Sequence, residues 1–461
     1  MRLYNTLTKR VEELAPQEKT VRMYVCGPTV YDLITIGNAR PFIVFDALRG
    51  YLEERGYRVI HVQNLTDVDD KIIRRAQEEG KPPEEIALRY TQEYFADLGR
   101  LGVRPPTYSP PATAFIGKMV EFVGQLLAKG HAYLVDGDVY FSVRSYPRYG
   151  ELSGRTLEEM RAGARVEVDE RKRDPLDFAL WKRAKPGEPH WPSPWGEGRP
   201  GWHTECVVMS MHLLGETLDI HAGGNDLIFP HHENERAQAE SLTGKTFARL
   251  WLHNGMVTVR GEKMAKSLGN FYYARDVVKL FGPEAVRYFY LSRDWRKPLE
   301  FTLEAMAEAK AAVERVYNFL AEAERVPPPV SAGDPEFLRF LEEQNTRFHA
   351  ELQENFNTPG GLAVLQEIIG EAYRRQDPGA LRAAAEAVRR LAHPLGLFQG
   401  EAAPPELGRL SEELLGLVVE LRAELRREKN FALADKIRGK LAALGVELRD
   451  GPEGTRWVLS R

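Results

Sequence analysis

Val21-Arg22-Met23-Tyr24-Val25-Cys26-Gly27-Pro28 opens with the period-2 alternation of a strand and stops where Gly and Pro break a β-ladder. Beyond it, Val44, Ala47, Leu48, Tyr51 and Leu52 recur at helical spacing. The helix is expected from Asn38, with Pro41 in its first turn, where a missing N–H does no harm, and Gly56 at its end. Arg58-Val59-Ile60-His61-Val62 is a second apolar strand, so residues 21–62 read as one βαβ unit of a parallel sheet with a right-handed crossover. The pattern resumes only at Leu218-Asp219-Ile220-His221, followed by a helix beginning near Pro230 and a strand around Arg249-Leu250-Trp251-Leu252. The sheet is thus split in sequence by an insertion over residues 96–200, and its last stretch, from Lys185 to Trp202, is crowded with Pro, Gly and Trp and reads as a loop or lid.

After residue 272 the period is helical nearly throughout, with a stiff linker at Val326-Pro327-Pro328-Pro329-Val330 and a second break at Ala403-Pro404-Pro405. A helix pair near 410–444 precedes a hairpin from Val446 to Leu459 around Asp450-Gly451-Pro452-Glu453-Gly454. A length of 461 residues suits about three domains. A content of 43% hydrophobic and 28% charged residues is ordinary globular usage. Lys plus Arg number 63 against 67 Asp plus Glu, which excludes a strongly basic nucleic-acid binder but leaves room for local basic patches. The two cysteines, Cys26 and Cys206, exclude a disulfide-stapled scaffold and fit a reduced, cytoplasmic setting. No signal peptide or membrane span is expected, because no run of about 18 apolar residues occurs.

Three constellations carry chemistry. The loop from Pro28 delivers Thr35-Ile36-Gly37-Asn38 to a helix start, where free N–H groups and the helix dipole favour phosphate, although such turns occur in every α/β domain. Gly261-Glu262-Lys263-Met264-Ala265-Lys266-Ser267-Leu268-Gly269-Asn270 carries two lysines able to meet charge developing on a polyphosphate; standing alone, it would be a solvated loop. Cys26, Cys206 and Pro230-His231-His232-Glu233-Asn234-Glu235 offer metal ligands, since either histidine can share a helical face with Glu235. Spacing does not choose between His231 and His232, and buried cysteines are commonly just small apolar residues.

Read together, these segments resemble the cysteinyl-tRNA synthetases, a class I aminoacyl-tRNA synthetase family, over essentially the whole chain. The resemblance lies in Met23-Tyr24-Val25-Cys26-Gly27-Pro28-Thr29-Val30-Tyr31-Asp32 and Asn64-Leu65-Thr66-Asp67-Val68-Asp69-Asp70-Lys71. It continues in Trp191-Pro192-Ser193-Pro194-Trp195-Gly196, Arg199-Pro200-Gly201-Trp202-His203-Thr204-Glu205-Cys206 and Phe229-Pro230-His231-His232-Glu233-Asn234-Glu235. It implies one zinc per chain held by Cys26, Cys206, His231 and Glu235, selecting cysteine over serine through its preference for thiolate. It also implies Gly27, Thr66 and Trp202 at the amino acid, and Gly37, Gly224, Asp226, Lys266 and Ser267 at Mg-ATP. Thr35, Asn38, Lys263 and Lys266 take the catalytic roles of the family's HIGH and KMSKS motifs. The chain departs from both motifs: Thr35 and Asn38 stand where histidines are usual, and Ala265 replaces a serine. Thr35 and Asn38 can donate hydrogen bonds to phosphate or ribose oxygens, but neither can carry an imidazolium charge.

The expected fold is α/β, a Rossmann-like parallel-sheet catalytic domain split by an insertion, then an all-α helical bundle and a small C-terminal α+β tail. The boundaries are 1–95 and 201–271 for the two catalytic halves, 96–200 for the inserted domain, 272–326 for a linking helical region, 327–400 for the tRNA-binding bundle and 401–461 for an anticodon-recognition domain. In that last domain, Leu425-Arg426-Arg427-Glu428-Lys429-Asn430-Phe431 is locally basic, and Phe431 or Trp457 could stack an unpaired base unless both belong to the core. The implied partners are tRNA-Cys, ATP and L-cysteine, acting on a cytoplasmic monomer. Two rival readings are a tRNA-independent ligase joining cysteine to a small amine, against which the 401–461 region argues, and a weakened regulator, against which the intact lysines and zinc set argue.

Overall fold

The computed structural model describes residues 1–163, 171–326, 335–401, 405–428, 430–443, 446–451 and 454–459. The linker at 327–330, Ala403-Pro404, Lys429 and the hairpin tip Pro452-Glu453 lie outside these residues, as does the side chain of Trp457. Two compact units are present: Met1–Glu314 with Ser331–Gln399, and Arg315–Val330 with Gly400–Arg461.

The first unit is built on the βαβ unit. Strand β1 (Thr20–Val25) is followed by helix α1 (Ile36–Glu54) and strand β2 (Arg58–Val62), which pairs parallel to β1 with Tyr24 opposite Val62. Helix α1 begins two residues earlier than periodicity suggests. The Thr35 hydroxyl accepts from the Asn38 N–H at 3.1 Å, and the Asn38 Oδ1 accepts from the Thr35 N–H at 3.2 Å, a reciprocal cap that satisfies free donors at both positions. Pro41 therefore lies inside the helix rather than in its first turn. The C-terminal end runs out at Arg55, with Gly56 at φ +80°, as expected.

The inserted segment forms an antiparallel sheet of β3 (Ala132–Val135), β4 (Asp138–Phe141), β5 (Phe178–Arg183) and β6 (Gly198–Pro200), in that order. The stretch read as a loop or lid thus contains a strand, because Gly198 and Arg199 find ladder partners on β5. Residue 96, the expected start of the insertion, lies within the helix Pro83–Arg100. Strand β6 runs into Gly201 and directly into helix α2 (Trp202–Leu214), which carries Cys206. Strand β7 (Leu218–Gly224), helix α3 (Glu233–Thr243) and strand β8 (Ala248–Asn254) complete the sheet, in the order β8-β7-β1-β2 and all parallel. Strands β7 and β8 are buried along nearly their whole length, as expected of strands covered on both faces. A short hairpin, Arg2–Asn5 with Arg10–Glu13, was not legible in the alternating N-terminal residues.

The helices beyond residue 272 include the trio Pro335–Gln353, Thr358–Arg375 and Pro378–Ala392. In the second unit, the helices Pro405–Arg427 and Phe431–Ala443 precede the antiparallel strands Val446–Gly451 and Gly454–Leu459, the expected helix pair and hairpin. Leu441, Val446 and Leu448 form their small core.

Candidate active site and metal centre

In an open parallel sheet, ligands bind beyond the carboxyl ends of the strands where the strand order reverses. Here that point lies between β1 and β7, adjacent strands whose chains leave towards opposite sides of the sheet. Cys26 and Gly27 follow β1, Gly224 and Asp226 end or follow β7, and Gly255 follows β8. They line a cavity of about 290 Å³, together with Gly37, Asn38, Trp202, Lys263 and Lys266.

At one end of it four donors converge. One ligand atom from each of Cys26, Cys206, His231 and Glu235 lies within 4.8 Å of all the others, and all four residues are buried. Glu235 Oε1 is 2.9 Å from His231 Nε2 and 3.7 Å from Cys26 Sγ. The local backbone explains the meeting: His231 sits in a wide π-helical turn, Ile228–His232, whose C-terminal end passes into α3, and α2 brings Cys206 from the far side of the insertion. A second set, Cys26, His221, His232 and Glu235, meets the same distance condition. His221 Nε2 is 2.7 Å from Glu235 Oε2, and His232 Nε2 is 3.1 Å from Cys26 Sγ. The His232 Nδ1 is engaged by His253 at 2.7 Å, and the rings of His221 and Trp251 stack 4.6 Å apart. Of the two sets only Cys26, which they share, lines the cavity; the Trp202 ring, which also lines it, stacks on His231 of the first set at 4.0 Å.

Electrostatics follow from burial and pairing. Burial lowers the His231 pKa, but the adjacent Glu235 carboxylate and Cys206 thiolate outweigh it and push His231 up to about 10. Burial raises Glu235, yet His221 and His231 bring it down to about 2. Burial and the neighbouring Cys206 hold the Cys26 thiol well above its usual value, while hydrogen bonding from Cys26 and the His231 charge overcome burial at Cys206 and lower it. These directions set an easily ionised thiol and a carboxylate beside a basic imidazole. A tetrahedral zinc with bonds of ~2.0–2.3 Å separates its ligands by roughly 3.3–3.8 Å, so this donor set fits such an ion, which would replace the imidazole proton.

Other expected residues are placed less uniformly. Gly27 is required to be glycine, because a Cβ there would come within 1.8 Å of Asn64 O, and its N–H donates to Asn64 Oδ1 at 2.8 Å. Thr66 is buried outside the cavity wall and accepts from Asn64 Nδ2 at 3.1 Å, so its link to Gly27 runs through Asn64. Asn38 lines the cavity, but Thr35 is buried beneath it with its hydroxyl donating to Asn38 Oδ1 at 2.9 Å, which corrects the expectation that this hydroxyl is free for a phosphate or ribose oxygen. Lys263 Nζ lies 2.8 Å from Asp226 Oδ2, and Lys266 Nζ lies 2.8 Å from Asp32 Oδ2. Ser267 is exposed and outside the cavity wall. Phe431 is 54% exposed and so is not core, consistent with a stacking surface. Sequence reasoning assigned no role to Asp32, Asn64 or His203, whose Nδ1 is 2.9 Å from His231 Nδ1, although all three stand in the quoted segments.

Residues 13–311 match the family described as the class I (C) tRNA synthetase catalytic domain, and residues 347–399 match the DALR domain. A cysteine–tRNA ligase of Pseudothermotoga lettingae is 51% identical, covering 99% of both chains, and that of Thermotoga maritima is 49% identical over 100% of both. Among solved structures, Mycobacterium tuberculosis methionyl-tRNA synthetase in complex with methionyl-adenylate superposes with a TM-score of 0.62 at 16% identity, covering 82% of this chain and 91% of that one. At that identity the likeness concerns the fold alone. No helix among the described residues is long and apolar enough to cross a membrane.

Proposed function

This chain belongs to the class I (C) tRNA synthetase family, the cysteine–tRNA ligases, and from that premise we propose how its residues carry the reaction. The protein is an ATP-dependent ligase that joins cysteine to tRNA. The observation that carries the assignment of roles is the meeting of two thiols, an imidazole and a carboxylate beside the switch-point cavity, whose wall Cys26 enters.

Cys26, Cys206, His231 and Glu235 would hold one zinc ion, this set being favoured over the one with His221 and His232 because Trp202, which lines the cavity, stacks on His231. Zinc held there would lower the pKa of a bound thiol and so would favour cysteine over serine, whose hydroxyl ionises poorly. Trp202, stacked on His231, and Gly27, held by Asn64 and Thr66, shape the amino-acid end. Gly37 and Asn38 at the start of α1, with Gly224 and Asp226, receive Mg-ATP; Thr35 positions Asn38 through the helix cap. The cysteine carboxylate attacks the α-phosphate in line, forming cysteinyl-adenylate and releasing pyrophosphate. Lys266 and Lys263 meet the negative charge that builds on the phosphates, with Ser267 beside them. The 2′-hydroxyl of the terminal adenosine of tRNA then attacks the adenylate carbonyl and AMP leaves. Orientation and charge stabilisation suffice for both steps, without a side-chain nucleophile.

The acceptor in this reading is tRNA-Cys, and the working form a cytoplasmic monomer. Residues 327–400 and 401–461 engage the tRNA body and anticodon, with Arg426, Arg427 and Phe431 exposed on the second unit. The test is cysteine-dependent ATP–pyrophosphate exchange followed by charging of purified tRNA-Cys. The wild type does both, and Lys266→Ala lowers exchange by roughly 100-fold or more, the scale of losing one charge-stabilising group. Exchange without charging would favour the small-amine ligase, and unchanged exchange in Lys266→Ala would remove that residue's role.

A further inference from the structure

The role proposed for Lys266 leaves its surroundings unexplained. Its ammonium pairs with Asp32 Oδ2 at 2.8 Å, donates to Leu33 O, and lies 5.2 Å and 5.5 Å from the ring centroids of Tyr31 and Tyr273. The Asp32 carboxylate is itself oriented, since its Oδ1 accepts from the Leu33 N–H at 2.8 Å. Lys266 and Asp32 both line the cavity. Lys263 pairs with Asp226 on its other side, but those side chains are 48% and 44% exposed, against 20% and 13% for Lys266 and Asp32. Water weakens an exposed pair far more than a sheltered one, so the Asp32 contact is the stronger anchor of the lysine loop. A fixed carboxylate here opposes a triphosphate, and it occupies the ammonium that the triphosphate needs.

We propose that Asp32 is a positioning residue that holds Lys266 in the place of a phosphate, keeping the 261–270 loop closed over the cavity until the triphosphate displaces it. The proposal rests on the reading that Lys266 meets the phosphates. Asp32 thereby competes with ATP for one ammonium and presets that ammonium near its working position, already out of bulk water. Lys71 is a second cation on the same wall: its ammonium lies 5.4 Å from the centroid of the same Tyr31 ring, and the residue lines the same cavity.

The experiment is a cycle of Asp32→Asn, Lys266→Ala and the double variant in the full chain, read by amide hydrogen exchange of residues 262–269 and by binding of the β,γ-methylene analogue of ATP. Without nucleotide, Asp32→Asn exchanges these amides about fivefold faster than wild type, and saturating analogue restores equal protection. The analogue binds Asp32→Asn roughly three- to tenfold more tightly, because an internal competitor is gone. Adding Asp32→Asn to Lys266→Ala changes nothing further, and Asp32→Glu, which keeps the charge, stays within about twofold of wild type in both readouts. Unchanged amide exchange in Asp32→Asn, additive effects in the double variant, or weaker analogue binding would overturn the proposal. Failure of the phosphate role of Lys266 reads out separately, as undiminished pyrophosphate exchange in Lys266→Ala.

Discussion

His61 is the penultimate residue of β2, buried, with neither ring nitrogen hydrogen-bonded among the described residues. Burial, with the Arg49 and Arg104 charges adding to it, brings its pKa down to about 3. Above pH ~6.5 both the folded and unfolded chains hold this ring neutral. As the pH falls below that value, the unfolded chain takes up a proton that the folded one refuses, so stability drops by ~1.4 kcal/mol per pH unit until the folded pKa is reached. His61→Leu removes this contribution: between pH 7 and pH 5, wild type should lose about 2 kcal/mol more than the variant by urea denaturation. Equal losses would contradict the assignment. The same scale shows what a sequence hides. His231 and His232 are equivalent by spacing, and distance admits both, each in its own set of four. What favours His231 in the proposed set is the Trp202 ring, which lines the cavity and stacks on it, a contact between residues distant in sequence.

At the scale of elements, Arg40 shows how α1 is tied to the segments that close the site. It is fully buried, and its guanidinium donates to Gly255 O at 2.7 Å, Lys297 O at 2.8 Å, Asp294 O at 3.1 Å and Met256 O at 3.3 Å. Burial lowers its pKa to about 10, so it remains charged at neutral pH. Arg40→Met would leave those carbonyls without their donor, and should cost about 3 kcal/mol or more of stability in urea denaturation; a loss under about 1 kcal/mol would contradict it. The βαβ unit was legible because β1 and β2 keep the period of a strand and α1 that of a helix. The start of α1 was not, because Thr35 and Asn38 look like loop residues until each is seen to cap the other. Pro41, taken as a first-turn residue, is inside the helix, where it only forgoes a bond to Gly37 O. Strand β6 is three residues long with Pro200 at its end, too short and too irregular for periodicity to find. The N-terminal hairpin strands, four residues each, fail for the same reason.

For the whole molecule, a near-neutral net charge of -4 says little about RNA. What the sequence does carry is a sheet interrupted by an insertion, with one cysteine on each side. The fold turns that separation into contact: Cys26 follows the end of β1, β6 feeds α2 with Cys206, and the turn before α3 supplies His231. The parallel sheet, the helix pair and the terminal hairpin were readable from periodicity and turn residues. The candidate metal ligands were readable from residue type and spacing, but the choice of His231 over His232 came only from the resemblance, and nothing local in the chain shows Cys26 and Cys206 to be neighbours. The central claim is that this set selects cysteine by its thiolate. Zinc K-edge X-ray absorption of the purified protein, with and without L-cysteine, tests it most directly. The account predicts one zinc per chain with two sulfur ligands, from Cys26 and Cys206, rising to three when cysteine is added and remaining at two with serine. A sulfur count that cysteine leaves unchanged would contradict it.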